Sequence, residues 1–128
     1  MEVVDHLLYT KEHEWVNIDG DEATIGISDY AQESLGDITF VELPNVGDEV
    51  EQFEEFASVE SVKAASDIFS PMSGSIIAVN DNLNEEPGLI NKSPYESGWL
   101  AKVKLSDIEG QSNLMTADEY GKFLESVG

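Results

Sequence analysis

The chain alternates apolar and polar residues with a period of two, and turn residues interrupt the pattern at short intervals. The clearest stretch covers residues 99–105, where every second side chain is apolar and the residues between include two lysines. A period of two places successive side chains on opposite faces of a β-strand, so this stretch predicts a half-buried strand. Many short strands separated by turns predict a mainly β protein, either a sandwich of two sheets or a small barrel.

Turn residues divide the rest of the chain into further strands and hairpins. The predicted strands are 6–9, 14–18, 23–28, 37–43, 53–61, 65–70, 75–79 and 99–105. Asp-Gly-Asp at residues 19–21 is a strong signal for the first hairpin turn, and Lys63 lies in the second. In the fourth strand, Ile38 and Phe40 are expected to share one face. Residues 80–94 are predicted to form a polar loop.

Two helices interrupt this β pattern. A short internal helix is predicted to begin at the capping residue Asp29, with Gln32 as the reciprocal capping partner, and to end at Gly36. A C-terminal helix begins with a capping box formed by Thr116 and Glu119 and runs almost to the C-terminus. Its apolar face is expected to pack against the sheets.

The charge of the chain argues against several classes of partner. The chain carries 27 acidic residues and six basic ones, all lysine, for a formal net charge of −21. Nucleic acids and anionic membrane surfaces are bound through lysine and arginine, so neither is an expected partner. No apolar run is long enough to span a membrane, and the first residues lack the cationic start of a targeting peptide. A cytoplasmic, bacterial location is therefore expected.

The residue types that support catalysis do not occur in any recognisable arrangement. The chain has no cysteine, which excludes disulfides, thiolate metal sites and a cysteine nucleophile. Its two histidines, His6 and His13, are too few for a histidine metal cluster. No phosphate-binding glycine loop, serine nucleophile elbow or paired-histidine zinc motif occurs. The chain is therefore expected to have no catalytic residues and no metal ligands, and any redox chemistry must come from an added group.

Lys63 stands at the predicted tip of the second hairpin. Its neighbours Val62 and Ala64 are β-branched and small, so we expect the lysine to be presented to solvent and not packed. Such an amine is accessible to an enzyme that acylates it, which would remove the charge and add a long arm. Exposed lysines are common and most are simply solvated, so the surrounding sequence must decide between the two interpretations.

The segment around this lysine, ESVKAASDIFSPMSG at residues 60–74, is similar to the lipoyl-lysine segment of the glycine cleavage H-protein family. Further segments that resemble the family occur in the same order and at the expected spacings, at 9–16, 23–32, 35–44 and 91–100. This resemblance covers nearly the whole chain and is more specific than any single motif. It implies one lipoyl-carrier domain, residues 1–128, with the lipoyl/biotinyl-type barrel-sandwich hybrid fold, a short internal helix and a C-terminal helix.

The resemblance also implies a function. A lipoylating enzyme would attach lipoate through an amide to Lys63, and the chain would be a monomeric carrier, not an enzyme, in the glycine cleavage system. The lipoyl arm would accept the aminomethyl group from the pyridoxal-phosphate-dependent glycine decarboxylase (P protein). It would present this group to the tetrahydrofolate-dependent aminomethyltransferase (T protein) and be reoxidised by dihydrolipoamide dehydrogenase (L protein).

Three acidic residues receive roles because they match the family's motifs. Glu14 and Asp67 are expected to line a surface cleft that receives the loaded arm, and to pair there with its cationic amine. Glu60, three residues before Lys63, is expected to be recognised by the lipoylating enzyme. Because the chain has 27 acids, an ordinary solubilising charge is the alternative interpretation for each of them. Glu12 adds a further negative charge near the proposed cleft.

Three other functions remain open. A biotin carrier of the same fold would place its lysine between two methionines, whereas Val62 and Ala64 flank Lys63 here, which favours lipoate. An H-like relative that relays lipoate without serving glycine cleavage would have the same carrier chemistry. A plain interaction module would leave Lys63 unmodified, and the intact mass of the protein distinguishes the modified forms from the bare one.

Overall fold

The computed structural model describes residues 2–127. Its strands are β1 (Leu8–Tyr9), β2 (Glu14–Asp19), β3 (Glu22–Ile27), β4 (Ile38–Glu42), β5 (Glu49–Val50), β6 (Glu55–Ser61), β7 (Ala65–Phe69), β8 (Gly74–Val79) and β9 (Ala101–Leu105). Its helices are α1 (Asp29–Leu35), α2 (Asn82–Glu85), α3 (Leu89–Lys92) and α4 (Ala117–Val127), and a 3-10 helix spans Ile108–Asn113. Within residues 2–127, no helix is long and apolar enough to cross a membrane.

The strands form two antiparallel sheets. The larger sheet has six strands in the order β1-β2-β3-β9-β8-β5, and the smaller has three in the order β4-β6-β7. Both predicted hairpins are present, because β2 pairs with β3 and β6 pairs with β7. Gly20 turns the first hairpin with a φ of 64°, a conformation that glycine adopts without strain. This mainly β architecture, with a short internal helix and a C-terminal helix, confirms the fold class expected from the sequence.

Apolar side chains from alternate strand positions build the core. In β9, Ala101 and Val103 are fully buried while Lys102 and Lys104 are exposed, as the alternation predicts. The buried residues of β9 form one cluster with those of β2, β3 and β8, on one face of the larger sheet. A second cluster packs the inner face of the smaller sheet against α2, α3 and the end of β3. A third cluster joins β1 and β2 to α4, so three buried clusters support the fold.

Strand β4 departs from simple alternation. Its register against β6 shifts between Ile38 and Phe40, which marks a β-bulge at Thr39. The extra residue reverses the faces beyond it. Ile38 and Val41 are therefore both buried, at 4% and 2% exposed, whereas Phe40 is 51% exposed. The expectation that Ile38 and Phe40 share one face was wrong, and Phe40 points out of the core.

The segment 80–94 is not the irregular polar loop that its composition suggested. It contains the two four-residue helices α2 and α3. Each helix supplies one completely buried side chain, Leu83 from α2 and Ile90 from α3. Gly98 follows this segment, and a Cβ there would lie 2.8 Å from the backbone of Leu89 and Ile90, so the chain packs against itself at this point.

Helix α1 begins one residue earlier than the sequence suggested. The capping residue is Ser28, whose Oγ accepts a hydrogen bond from the backbone N of Ala31 at 3.2 Å. Asp29 is the first helical residue, where a negative charge is favourable. Gln32 contacts Asp29 as expected, by donating from Nε2 to its carboxylate at 2.7 Å, but this bond joins two side chains and is not the cap.

Helix α4 closes the chain over the larger sheet. The capping box is confirmed, because Thr116 N donates to Glu119 Oε1 at 2.9 Å and Glu119 N donates to Thr116 Oγ1 at 3.2 Å. Tyr120 is fully buried and stacks on Tyr9 of β1, with ring centroids 4.3 Å apart. Its hydroxyl lies 2.7 Å from the Oγ of Ser28. The C-terminal helix is therefore hydrogen-bonded to the N-cap residue of α1.

Candidate functional site

Lys63 lies at the tip of the β6–β7 hairpin, and backbone hydrogen bonds hold this tip. Ser61 N donates to the carbonyl of Ala64 at 2.8 Å. The Ser61 hydroxyl accepts from Lys63 N at 3.2 Å and from Ala64 N at 3.1 Å. Val62 N donates to the carbonyl of Asp37 at 3.1 Å, which ties the tip to the start of β4. The backbone of the tip is therefore fixed, while the side chain of Lys63 is exposed.

The stem of Lys63 lies across the end of helix α1. Gly36 ends this helix with a φ of 78°. A Cβ on Gly36 would lie 3.5 Å from Cε of Lys63 and 3.6 Å from Cγ2 of Val62. Asn91 of α3 fixes this floor, because its Nδ2 donates to the Gly36 carbonyl at 2.9 Å and its Oδ1 accepts from Ile38 N at 2.9 Å. Two helices and the smaller sheet thus support the lysine.

Glu14 is buried, and its carboxyl group links the two sheets. The side chain is only 2% exposed. One oxygen accepts from the Thr10 hydroxyl, and the other accepts from the backbone N of Phe69 at 3.1 Å. Glu14 belongs to β2 of the larger sheet and Phe69 to β7 of the smaller one. Burial raises the pKa of Glu14 to about 7, because the two hydrogen bonds offset the loss of hydration only in part.

A surface cleft of about 450 Å³ lies directly beside this carboxyl group. It is lined by Tyr9, Thr10, Lys11, Glu12, Phe53, Phe69, Asn113 and Met115. Thr10 and Phe69, the two hydrogen-bond partners of Glu14, are both part of its wall. Phe53 is 49% exposed and has a φ of 67°, which is unusual for a bulky residue. None of the predicted site residues lines this cleft or the larger groove of about 730 Å³ beside Trp99 and Lys102; Glu14 adjoins the cleft only through its hydrogen-bond partners Thr10 and Phe69.

The other two predicted site residues are exposed on the smaller sheet. Asp67 lies on β7, two residues before Phe69. A hydrogen bond with Asp67, and the charge of that residue, raise the pKa of Glu55. Glu60 lies on β6, directly opposite Phe40. Among residues 2–127, no hydrogen bond joins Glu14 to Asp67. The structure therefore places Glu60 and Lys63 on one hairpin and Glu14 beside the cleft at the far end of β7.

Sequence reasoning missed several residues that build this region. Thr10 and Phe69 make hydrogen bonds to Glu14, and Asn91 donates one to Gly36, which lies below Lys63. Phe69 is 55 residues away from Glu14 along the chain, and nothing in the local pattern indicates that they meet. Thr10, Phe69 and Asn91 all lie in segments that resemble the family, which was the available signal. The left-handed backbone of Phe53 has no sequence signature.

A two-sheet barrel-sandwich that holds one exposed lysine at a rigid hairpin tip defines a carrier domain for a covalently attached group. The geometry fits lipoate, because an amide to Lys63 needs an accessible amine, and a cleft that includes the apolar side chains of Phe53, Phe69 and Met115 lies at the far end of β7. Known proteins support a more specific assignment. The family model described as glycine cleavage H-protein matches residues 7–127. The chain belongs to this family of lipoyl carriers of the glycine cleavage system.

Individual relatives agree with the family assignment. A glycine cleavage system H protein of Halothermothrix orenii is 52% identical over 127 residues, which cover 99% of this chain and 99% of that protein. The mitochondrial glycine cleavage system H protein 2 of Arabidopsis thaliana is 55% identical over 123 residues, which cover 96% of this chain and 79% of that protein. The crystal structure of a glycine cleavage system H protein from Mycobacterium marinum superposes with a TM-score of 0.86 at 38% identity. The superposition covers 93% of the present chain and 96% of the Mycobacterium marinum chain.

Proposed function

We propose that residues 1–128 act as one carrier domain that bears lipoate on the Nζ of Lys63 and has no catalytic activity of its own. The observation that supports this most directly is the exposed Lys63 on a hairpin tip whose backbone is held by Ser61. When bound, the lipoyl group would supply a redox-active disulfide and, after reduction, a thiol that can carry a transferred group. The chain itself supplies a rigid base, because the tip is hydrogen-bonded to β4 through Val62.

The chain contributes by holding the attachment point of the lipoyl arm in a defined position. A tethered group reaches its partners at a high effective concentration, provided that the side chain that bears it stays accessible at the protein surface. Gly36 and Asn91 hold the floor below the Lys63 stem, so the side chain projects from a defined point. A net charge of −21 keeps copies of the protein apart and favours encounters with basic partner surfaces.

The proposed partners are those implied by the family. They are the P-protein decarboxylase, the T-protein aminomethyltransferase, the L-protein dehydrogenase and a lipoylating enzyme, and the carrier is proposed to work as a monomer in the bacterial cytoplasm. Glu60 lies three residues before Lys63 on the same hairpin, where a lipoylating enzyme would contact it. A lipoate relay outside glycine cleavage is the second candidate, since its carrier would need the same lysine.

We propose further that Glu14 and Asp67 stabilise the loaded arm in the 450 Å³ cleft. The carboxyl group of Glu14 lies behind the cleft wall formed by Thr10 and Phe69. With a pKa of about 7 it is partly ionised near neutral pH, and a cationic amine in the cleft would favour the ionised form. Asp67 is exposed two residues before Phe69 and adds negative charge on the same strand.

The site assignment is tested by replacing the lysine. Lys63→Arg keeps a positive charge at the tip but cannot form the amide. After coexpression with a lipoate–protein ligase, the wild-type chain should gain the mass of one lipoyl group and the variant none. Lys122→Arg, at another exposed lysine on α4, is the matched control and should be modified like wild type. A lipoyl group found on another lysine of the Lys63→Arg variant would refute the assignment.

The choice between glycine cleavage and lipoate relay is tested with the decarboxylase. The lipoylated chain should stimulate the exchange of the glycine carboxyl carbon with bicarbonate by a P protein, and the Lys63→Arg chain should not. Full lipoylation without any stimulation would favour the relay function. For the cleft, Glu14→Gln with Asp67→Asn should shorten the lifetime of the loaded carrier and leave lipoylation unchanged. An unchanged lifetime would remove the cleft proposal.

A further inference from the structure

The smaller sheet has one outer face that leads directly to Lys63. Across its three strands, Phe40 lies opposite Glu60 and Glu60 opposite Ala65, while Glu42 lies opposite Ser58 and Ser58 opposite Asp67. Residues directly opposite one another in an antiparallel pair point to the same side of the sheet. We call this surface the Phe40 face; it consists of Phe40, Glu42, Ser58, Glu60, Ala65 and Asp67.

The Phe40 face includes one large aromatic side chain. The bulge at Thr39 turns Phe40 outward and leaves it 51% exposed. The same bulge buries Val41, so β4 places valine in the core and the larger aromatic side chain on the outer face. Val62, next to Lys63, is 67% exposed. A groove of about 330 Å³ continues from Phe40 to Val46, which is 62% exposed.

The polar residues of the Phe40 face carry one sign of charge. Glu42, Glu60 and Asp67 are all exposed. Hydrogen bonding to Asp67 and the charges of Asp67 and Glu42 raise the pKa of Glu55, which borders this face. A protein surface that covers this face must therefore bring positive groups, because uncompensated like charges oppose association. An apolar centre with an ionic rim is the usual anatomy of a protein interface.

The distance to the lysine identifies which partner this surface fits. Glu60 lies three residues before Lys63, with Val62 and Lys63 in the hairpin turn, so the two residues are at most about 10 Å apart along the chain. An enzyme that acylates the Nζ of Lys63 must bring its active site within one lysine length of the hairpin tip, so its surface comes close to the strand residues beside that tip, which include Phe40, Glu60 and Ala65. An enzyme that reacts only with the far end of a lipoyl arm can remain farther away.

We propose that the Phe40 face is the docking surface for the enzyme that acylates Lys63, and that this enzyme holds the Phe40 ring in an apolar pocket rimmed by lysine or arginine. The inference rests on the proposed function and extends it to a recognition surface. In the reaction, the Lys63 amine attacks the acyl carbon of a lipoyl–AMP mixed anhydride. The C–N bond forms, the C–O bond to the phosphate breaks, AMP leaves, and the amine loses a proton.

The test measures lipoyl transfer onto the full chain by a lipoate–protein ligase with lipoate and MgATP, at varied carrier concentration. Phe40→Thr suits an exposed strand position and should raise the KM for the carrier about tenfold, the size of a central interface contact, with kcat within about twofold of wild type. Phe40→Leu should restore most of the affinity. Ile77→Thr, at a residue 39% exposed on β8, is the matched control and should behave like wild type.

A competition experiment separates docking from chemistry. The Lys63→Arg chain binds the ligase without being acylated, so it should inhibit modification of the wild-type chain. The Lys63→Arg/Phe40→Thr chain should need about tenfold more protein for the same inhibition. Thermal melts of each variant establish that the fold is intact.

Distinct outcomes overturn the inference and the function on which it rests. Equal inhibition by the two chains, or an unchanged KM for Phe40→Thr, would overturn the docking surface while leaving Lys63 as the lipoyl site. A fall in kcat at constant KM would also overturn it, because Phe40 would then act by positioning the lysine. If the ligase does not acylate the wild-type chain at Lys63 at all, the proposed function itself fails.

Discussion

Replacement of the buried carboxyl group by an amide should change how the stability of this protein depends on pH. Glu14 is 2% exposed, and burial raises its pKa from an ordinary value of 4.5 to about 7. Between these two pH values the folded protein binds more protons at this residue than the unfolded chain does, so the free energy of unfolding falls as the pH rises. The contribution is fully present below pH 4.5 and fully lost above pH 7.

The size of the effect follows from the two pKa values. At about 1.4 kcal/mol for each pH unit between them, ionisation of Glu14 costs the folded state about 3 kcal/mol. Glu14→Gln cannot ionise, and its amide can still accept from Phe69 N and donate to the Thr10 hydroxyl. The free energy of unfolding of wild type relative to the variant should therefore fall by about 3 kcal/mol between pH 4.5 and pH 8.

Urea unfolding at several pH values measures this difference without adding salt. Burial lowers the pKa of His13, which also titrates in this range, but it is present in both proteins and cancels in the comparison. Glu22→Gln, at an exposed position of β3, is the control and should show no such trend relative to wild type. A difference between wild type and Glu14→Gln that stays constant within about 0.5 kcal/mol from pH 4.5 to 8 would refute the reasoning.

Three further substitutions test the fold in denaturant unfolding. Gly74→Ala should prevent stable folding, because its Cβ would lie 2.1 Å from the carbonyl oxygen of Lys104, whereas Gly88→Ala, with no atom within 4 Å, should be tolerated; equal stability of the two would contradict this packing. Asn91→Ala removes three hydrogen bonds and should cost about 2–3 kcal/mol. Thr116→Ala removes the cap of α4 and should cost about 1 kcal/mol, and a loss below about 0.3 kcal/mol would show that the capping box contributes little.

The sequence was most informative where a structural feature depends on neighbouring residues. The Asp-Gly-Asp turn at residues 19–21 predicts the first hairpin because glycine accepts the φ of 64° that the turn requires. The capping box of α4 is also a local arrangement, since Thr116 and Glu119 lie within one helical turn. The position of Lys63 between two strands follows in the same way from the hairpin arms on either side of it.

The features that sequence reasoning missed either leave no local pattern in the sequence or depend on distant contacts. Phe40 was placed on the wrong face because a bulge has no signature in the alternation itself. Helices α2 and α3 have four residues each, which is too short for a helical period to appear. The burial of Glu14 depends on Phe69, a residue of the other sheet, so its raised pKa has no local indicator.

The order of the strands also affects how the protein behaves when it is abundant. Both edges of the larger sheet are strands of only two residues, β1 and β5. The edge at β1 is partly covered as well, because Tyr9 and Met115 exchange two backbone hydrogen bonds of 2.8 Å. Short or covered edges leave few free amide and carbonyl groups for a strand of another molecule to join. The larger sheet is therefore poorly suited to edge-to-edge polymerisation, even in a concentrated solution.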